Sequence, residues 1–371
     1  MSESNLPMPD DTKSLDRALQ ALVGLESGDT PVLSCYLDAR QGADACAVFL
    51  ARSTSRFRTA LSGAALFDFD AAVSAVEQAL GHAADSRVQG LVVFARGPVG
   101  GRFLQVLRLA VPVDNAVTLY RRPEIAPLLA VRAREAGFTL LHVSGQGVEV
   151  MQVDAGRAAS RGWVRRSRAD LAEDSLGRAP WSRRRARLFP DKGARALRRV
   201  LARQTSGPLV VAGSAMTIEA LCAGLPRRLA ARMVARLVLH ADAPRAQVVT
   251  LAREQVAAYR AGRSGALVQQ VLGAARQAGL AVTGAQAAGQ ALDAGRAALL
   301  LLAGDDLAPV ASHWHPRIEL AHEALRRYVP VVQVESAALR AVGGAACLVE
   351  GGPRRGAMSA RLPCPQLGLA A

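Results

Sequence analysis

The chain has 371 residues, half of them hydrophobic, which is enough for two or three domains with their own cores. Its 46 basic residues outnumber 31 acidic ones, and the resulting net charge of +15 predicts a polyanionic partner, either nucleic acid or an anionic membrane surface. No apolar stretch is long enough to span a bilayer, and the polar start at residues 1–12 lacks the pattern of a secretory signal, so we expect a cytoplasmic protein.

Residues 1–132 are predicted to form an N-terminal α/β domain with a mixed sheet. The apolar run 31–37 follows turn residues and predicts a strand, and residues 49–61 and 69–80 have helical spacing. Two further strands are expected on either side of the glycine-rich connection Arg96–Arg102. Pro123 suits the first turn of another helix.

A central domain is predicted over residues 136–260. The apolar runs 138–144 and 148–154 flank Gly145-Gln146-Gly147, which is typical of a hairpin, and 162–165 favours a third strand. Residues 208–215 indicate a buried strand that leads into a helix. Strands interrupted by helices favour a mixed sheet with helices on its faces.

Residues 262–350 are predicted to form a C-terminal domain, reached through a long helix at 245–277. Apolar runs at 281–284, 298–304, 329–334 and 346–350 alternate with helical patterns. This order predicts a compact three-layer α/β/α domain. The tail 351–371 contains glycine, proline and arginine without any period, and we expect it to be disordered.

The positive charge is concentrated in residues 157–203, which hold fourteen arginines and Lys192 against four carboxylates. We predict an exposed loop over residues 165–180 and a basic helix over residues 191–204. The helix is expected to begin after Pro190, because proline inside a helix would break it. Arginines bind phosphates and stack on bases, and a tryptophan adds a stacking surface. The predicted RNA contacts are Arg178, Trp181, Arg183, Arg184, Arg185 and Arg187. The alternative is a solvated helix face, with Trp181 packed as a cover on the core.

Catalytic and metal-binding motifs are incomplete. Residues 97–101 are glycine-rich, but no Gly-Lys-Ser/Thr follows, as a Walker loop would require. Ser214 follows a strand without a full G-x-S-x-G pattern, so we expect it to cap a helix. His313 and His315 are two residues apart and favour a surface loop over a metal site with His322. The five cysteines are scattered and are expected to be reduced, and neither a cofactor nor a metal is predicted.

Several short segments, in order, resemble the archaeal and eukaryotic class-one release factors and Pelota, and in particular their bacterial relatives such as the Balon-like ribosome hibernation factors. Residues 137–143 resemble the first strand of the release-factor central domain, and 209–215 resemble its Leu-Ala-Gly-Ser-Ala turn. Residues 282–295 and Gly343-Gly344 resemble the glycine signatures of the C-terminal domain. The resemblance covers roughly 136–350 and implies a ribonuclease-H-like central domain.

The chain departs from this family at the catalytic and decoding motifs. Release factors carry a Gly-Gly-Gln loop before the basic helix, but the stretch Asp174–Arg183 here contains neither Gly-Gly nor Gln. The first domain also lacks the Asn-Ile-Lys-Ser of stop-codon recognition. We therefore expect neither peptidyl-tRNA hydrolysis nor stop-codon recognition.

The resemblance implies a non-enzymatic translation factor that binds ribosomal RNA at the A site, in hibernation or stress protection. The resemblance also implies that the loop Arg96–Arg102 lies at the decoding centre, and that elongation factor Tu delivers the protein through the C-terminal domain. Two alternatives remain open. The first is a peptide-release or rescue hydrolase with a divergent loop, and the second is a general stress RNA-binding protein that does not engage ribosomes.

Overall fold

The computed structural model describes residues 12–25, 30–81, 88–144, 147–154, 157–165, 207–240, 243–277, 279–304 and 315–350. The tail 351–371 and the predicted basic loop and helix between 166 and 206 lie outside these ranges. The chain divides into two compact units. The central unit runs from Arg134 to Arg263, and the other unit combines the chain up to Ala133 with the chain from Ser264 onward. The division into three domains stays a prediction.

The described residues form α-helices and β-strands that alternate along the chain. The helices are α1 Thr12–Gly24, α2 Ala43–Ala60, α3 Gly63–Gly81, α4 Ala126–Glu135, α5 Ala215–Gly224, α6 Arg227–Ala230, α7 Arg245–Arg276, α8 Ala285–Asp293, α9 Pro316–Arg326 and α10 Ala337–Ala341. The strands are β1 Val32–Asp38, β2 Gly90–Arg96, β3 Phe103–Leu109, β4 Ala116–Tyr120, β5 Phe138–Ser144, β6 Gly147–Val153, β7 Ala158–Arg165, β8 Leu209–Gly213, β9 Met233–Val238, β10 Ala281–Thr283, β11 Ala297–Ala303, β12 Val331–Val334 and β13 Ala345–Val349.

The first sheet, sheet A, has the strand order β3-β2-β1-β4, and its described pairs are all antiparallel. The expectation of a mixed sheet was therefore wrong here. Two packed helices, α2 and α3, connect β1 to β2, and an even number of helices brings the chain back to the end of the sheet that it left. The next strand therefore runs antiparallel. The short connection 97–102 then makes β2 and β3 an antiparallel hairpin, and the two strands predicted on either side of this connection are confirmed.

The connection between β2 and β3 is fixed by a buried carboxylate. The side chain of Asp68 accepts hydrogen bonds from the Val99 and Gly100 amides, both at 2.7 Å, and from the Thr30 hydroxyl at 2.6 Å. The backbone of α3 at Asp68 lies so close to Gly97 that a Cβ there would approach the Asp68 Cα to 2.5 Å. The loop is therefore held in one conformation.

The other sheet of this unit, sheet C, has the strand order β10-β13-β11-β12 and helices on both faces. One face, with Leu300 and Leu302, packs against α8 and α9. The other face, with Leu301, packs against α10 and the last part of α7. This is the three-layer arrangement predicted for the segment. The core on the α8–α9 side is continuous with residues of α1 and sheet A, so the two parts of this unit share one hydrophobic core.

A buried polar cluster lies where these two parts meet. Glu124 is fully buried, and its carboxylate accepts a hydrogen bond from the Ala126 amide at 3.1 Å and lies 3.9 Å from the Arg317 guanidinium. The Glu124 amide donates to the Ser34 hydroxyl at 3.0 Å, and the Tyr36 hydroxyl donates to the Glu124 carbonyl at 2.5 Å. These contacts explain why α4 begins at Ala126 rather than at Pro123.

His322 of α9 is fully buried beside this cluster, with Nε2 2.8 Å from the Pro123 carbonyl oxygen. A carbonyl only accepts hydrogen bonds, so Nε2 carries the proton. Burial lowers the pKa of His322 from 6.5 to about 4, and the nearby Arg122 acts in the same direction.

Acidification is expected to destabilise the protein through this histidine. The unfolded imidazole binds a proton near its ordinary pKa, whereas the folded one resists protonation down to about pH 4. The free energy of unfolding should therefore fall by up to about 3 kcal/mol between pH 7 and pH 4. Urea denaturation across this range, on wild type and His322→Gln, measures the effect. In the variant, the free energy of unfolding should fall less between pH 7 and pH 4 than in wild type. An equal fall in both proteins would contradict the role of His322.

Candidate nucleic-acid interface

Residues 157–165, the first part of the arginine-rich stretch, are described, whereas its residues from 166 onward are not. All six predicted RNA contacts (Arg178, Trp181, Arg183, Arg184, Arg185 and Arg187) lie outside the described residues. The strand that leads directly into the stretch is β7, and the chain is described again from Gly207, just before β8. The central sheet, sheet B, has the order β7-β6-β5-β8-β9, so β7 is an outer strand. The predicted hairpin between β5 and β6 and the mixed character of this sheet are confirmed.

Strand β7 exposes two arginines and a tryptophan. Its pairing with β6 shifts between Gly162, opposite Val150, and Ser160, opposite Met151, so Arg161 has no partner residue and forms a β-bulge. Arg161 and Arg165 are exposed, and 42% of the Trp163 surface is accessible. Val164, between Trp163 and Arg165, is buried against the core. The strand therefore keeps one apolar contact inward and presents a cation–aromatic–cation set outward.

Trp163 and Arg165 lie on the same face of sheet B, because side chains two apart in a strand point the same way. Trp163 is directly opposite Glu149 of β6, which is in turn opposite His142 of β5. This face also carries the core that packs against the first part of α7. The side chains of Trp163, Glu149 and His142 therefore form a row across this face of the sheet.

Arg245, the first residue of α7, fastens β7 to this row. Its guanidinium lies 3.5 Å from the Glu149 carboxylate and donates a hydrogen bond of 3.2 Å to the Ala158 carbonyl. Glu149 is nearly fully buried, so Arg245 offsets much of the cost of burying its charge. Burial lowers the pKa of His142, while Glu149 raises it and Arg245 lowers it. The imidazole is therefore neutral at pH 7.

The central unit is basic beyond β7. Its described residues include twelve arginines and only five carboxylates. Within the described ranges no carboxylate pairs with Arg161 or Arg165, whereas Arg245 is paired. Two unpaired, exposed guanidinium groups beside an indole have the chemistry to bind phosphates and a nucleobase.

The other candidate sites have structural explanations. Ser214 is the N-cap of α5 and accepts a hydrogen bond from the Thr217 amide at 3.3 Å, which confirms the capping prediction. His315 is partly buried and donates its amide to the Tyr120 hydroxyl, while His313 lies outside the described ranges. Among the described residues, no group of three or more His, Cys, Asp or Glu side chains is placed to hold a metal ion. Cys35, Cys46, Cys222 and Cys347 are free thiols, as predicted.

No helix in the described ranges combines the length and hydropathy needed to cross a bilayer.

Residues 123–257, which include all of sheet B, match the model of the family described as bacterial archaeo-eukaryotic release factor family 10. No curated protein matches the chain. Similar solved structures include the archaeal translation termination factor aRF1, 16% identical, covering 92% of this chain and 98% of that one with a TM-score of 0.30. Archaeal Pelota, in a model of the ribosome-bound protein with ABCE1, is 17% identical. The match covers 70% of this chain and 78% of Pelota, with a TM-score of 0.42. Dom34 from S. cerevisiae, a translation termination-like factor, is 10% identical, covering 71% and 81% with a TM-score of 0.43.

The basic α/β unit that contains sheet B is thus the part of the chain that is similar to release factors. The match to a bacterial release-factor family over residues 123–257 confirms, for that part of the chain, the resemblance inferred from the sequence.

Proposed function

We propose that this protein is a ribosome-associated translation factor that binds ribosomal RNA at the A site and protects idle or stressed ribosomes. The observation that carries the proposal is the surface of β7, where unpaired Arg161 and Arg165 continue directly into the arginine-rich sequence 166–206. Uncompensated cations at this density repel one another until a polyanion neutralises them. One similar structure is described as a model of ribosome-bound archaeal Pelota and ABCE1, and ribosomal RNA is the polyanion that we propose for this chain.

We propose further that the protein binds without hydrolysing peptidyl-tRNA. Release factors use a Gly-Gly-Gln loop for this reaction, and the corresponding stretch Asp174–Arg183 has no such sequence. The basic residues that follow remain available for phosphate contacts. Delivery by elongation factor Tu through the chain from 264 to 350 is an additional proposal, for which Dom34 and its described interaction with Hbs1 offer a parallel.

Sedimentation with ribosomes tests the proposal. Purified protein and ribosomes are layered on a sucrose gradient at low salt, and the protein should move with the ribosomes. The paired charge reversal Arg161→Glu and Arg165→Glu should weaken this association. The matched control, Arg276→Glu with Arg340→Glu, reverses two exposed arginines of the other unit and should have a smaller effect. Wild-type protein that stays in the light fractions would contradict ribosome binding and favour a general RNA-binding protein.

A peptide-release assay separates the proposed binding factor from the hydrolase alternative. Ribosomes carrying labelled peptidyl-tRNA are incubated with wild-type protein and with a variant lacking residues 174–182. No release above background is expected for either protein. Release by wild type that disappears in the deletion variant would establish the hydrolase instead.

A further inference from the structure

We propose that Trp163 is a stacking surface for an unpaired RNA base, with Arg161 and Arg165 contacting the phosphates on either side of that base. The inference rests on the proposed function, because it specifies which form of RNA the basic surface of the central unit recognises. It concerns a residue on the edge strand β7 of sheet B, before the arginine-rich sequence 166–206.

The exposure of Trp163 is the first argument. An indole is among the most apolar side chains, yet 42% of this one is accessible on an outer strand, while neighbouring Val164 is buried. Tryptophan normally finds a partner for its ring, and an exposed tryptophan between cations is typical of surfaces that bind single-stranded nucleic acid. The two arginines lie within two residues of the indole on each side along the strand.

The rigidity of the strand is the second argument. Strand β7 is paired to β6 from Ala158, opposite Val153, to Arg165, opposite Gly147. Arg245 donates a hydrogen bond to the carbonyl of Ala158, the first residue of β7, and lies 3.5 Å from the carboxylate of Glu149, the residue opposite Trp163. A stacking surface that is already ordered loses little conformational entropy on binding, which favours affinity.

The bulge at Arg161 is the third argument. A bulge increases the local twist of a strand and redirects side chains, and bulges are common next to binding sites. Here it removes Arg161 from the pairing, and Arg161 is exposed two residues before Trp163 in the strand. Arg165 lies about 7 Å along the strand from Trp163, on the same face. Cations on both sides of the indole suit a backbone that passes across the strand.

The predicted ligand is a single-stranded or looped RNA segment. In an A-form duplex the bases are stacked inside the helix and their faces are inaccessible, so an exposed indole gains nothing from duplex RNA beyond charge attraction. Stacking tolerates any base, because every base has an aromatic face. We therefore expect the protein to prefer single-stranded RNA over duplex RNA and to show little preference for the base sequence.

Fluorescence of Trp163 provides the test. The chain has three tryptophans, and the variant Trp181→Phe with Trp314→Phe leaves Trp163 as the only one. Titration with a short single-stranded RNA should quench its emission, whereas the same sequence as a duplex should quench it much less. Trp163→Ala should weaken binding of the single strand by roughly 5- to 150-fold, and Trp163→Phe should retain most of the affinity. Circular dichroism checks that each variant is folded.

The control variant is Tyr259→Ala, which removes another exposed aromatic side chain of the central unit and should leave RNA affinity unchanged. Equal affinity of Trp163→Ala and wild type for the single strand, or equal quenching by single strand, duplex and an acidic peptide, would overturn the inference. If wild type and Trp163→Ala sediment equally with ribosomes and the RNA titration shows no quenching, the stacking proposal fails while the proposed function stands. If wild type fails to sediment, the proposed function itself fails.

Discussion

Replacing Arg183, Arg184 and Arg185 with alanine is expected to flatten the salt dependence of ribosomal RNA binding. Each guanidinium that neutralises a phosphate releases a condensed counterion, and the slope of the logarithm of the binding constant against the logarithm of salt concentration changes by about 0.7 to 0.9 for each contact. Loss of three contacts should therefore reduce the slope by about two to three. Filter binding of a ribosomal RNA fragment at several salt concentrations measures this change.

The matched control is the triple variant Arg276→Ala, Arg296→Ala and Arg340→Ala. It removes the same charge from exposed positions in the other unit. Its slope should stay close to that of wild type if phosphate contacts are localised to the central basic segment. An equal reduction in both variants would mean that only total charge matters, and no reduction in the first would contradict direct contacts by the three arginines.

Replacing Glu124 with alanine is expected to lower the free energy of unfolding by about 3 to 5 kcal/mol, because it removes the carboxylate that lies 3.9 Å from the buried guanidinium of Arg317. The variant also loses the hydrogen bond from the Ala126 amide. Burial raises the pKa of Glu124, while the positive charge of Arg317 lowers it. The charged form of the Glu124 carboxylate is therefore stabilised by Arg317. Urea denaturation at pH 7 measures the loss.

Two further variants isolate the ion pair. Glu124→Ala combined with Arg317→Met removes both charges and should recover much of the lost stability, since an apolar pair in a buried site is often no worse than a buried ion pair. Glu254→Ala removes an exposed carboxylate and should change stability by less than about 0.5 kcal/mol. If Glu124→Ala is as stable as wild type, the cluster contributes nothing to holding the two parts of this unit together.

Much of the secondary structure follows from local sequence patterns. The runs 91–95 and 298–304 are continuously apolar, and both became strands with buried residues on each face. Helix α7 matches its predicted extent within one residue. Four elements were missed, namely α1, β4, α6 and β9. Of these, α1 had a usable signal, because Leu15, Leu19 and Leu22 have helical spacing and are all buried.

Strand direction and the interface could not be derived in the same way. Sheet A is antiparallel because α2 and α3 pack as a pair, which is a tertiary contact. Trp163 lay inside a predicted strand, but its position opposite Glu149 and the bulge at Arg161 depend on pairing with β6. Arg245 is far from Glu149 in sequence, so their contact has no local signature. The pattern Arg161-x-Trp163-x-Arg165 was the available clue.

The direct test of A-site binding is a cryo-electron microscopy map of ribosomes incubated with saturating protein. We expect density for the central unit in the A site, with the outer face of β7 and the arginine-rich sequence after it against ribosomal RNA. Ribosomes whose A sites stay empty, or a bound protein that turns β7 toward solvent, would contradict the proposed function.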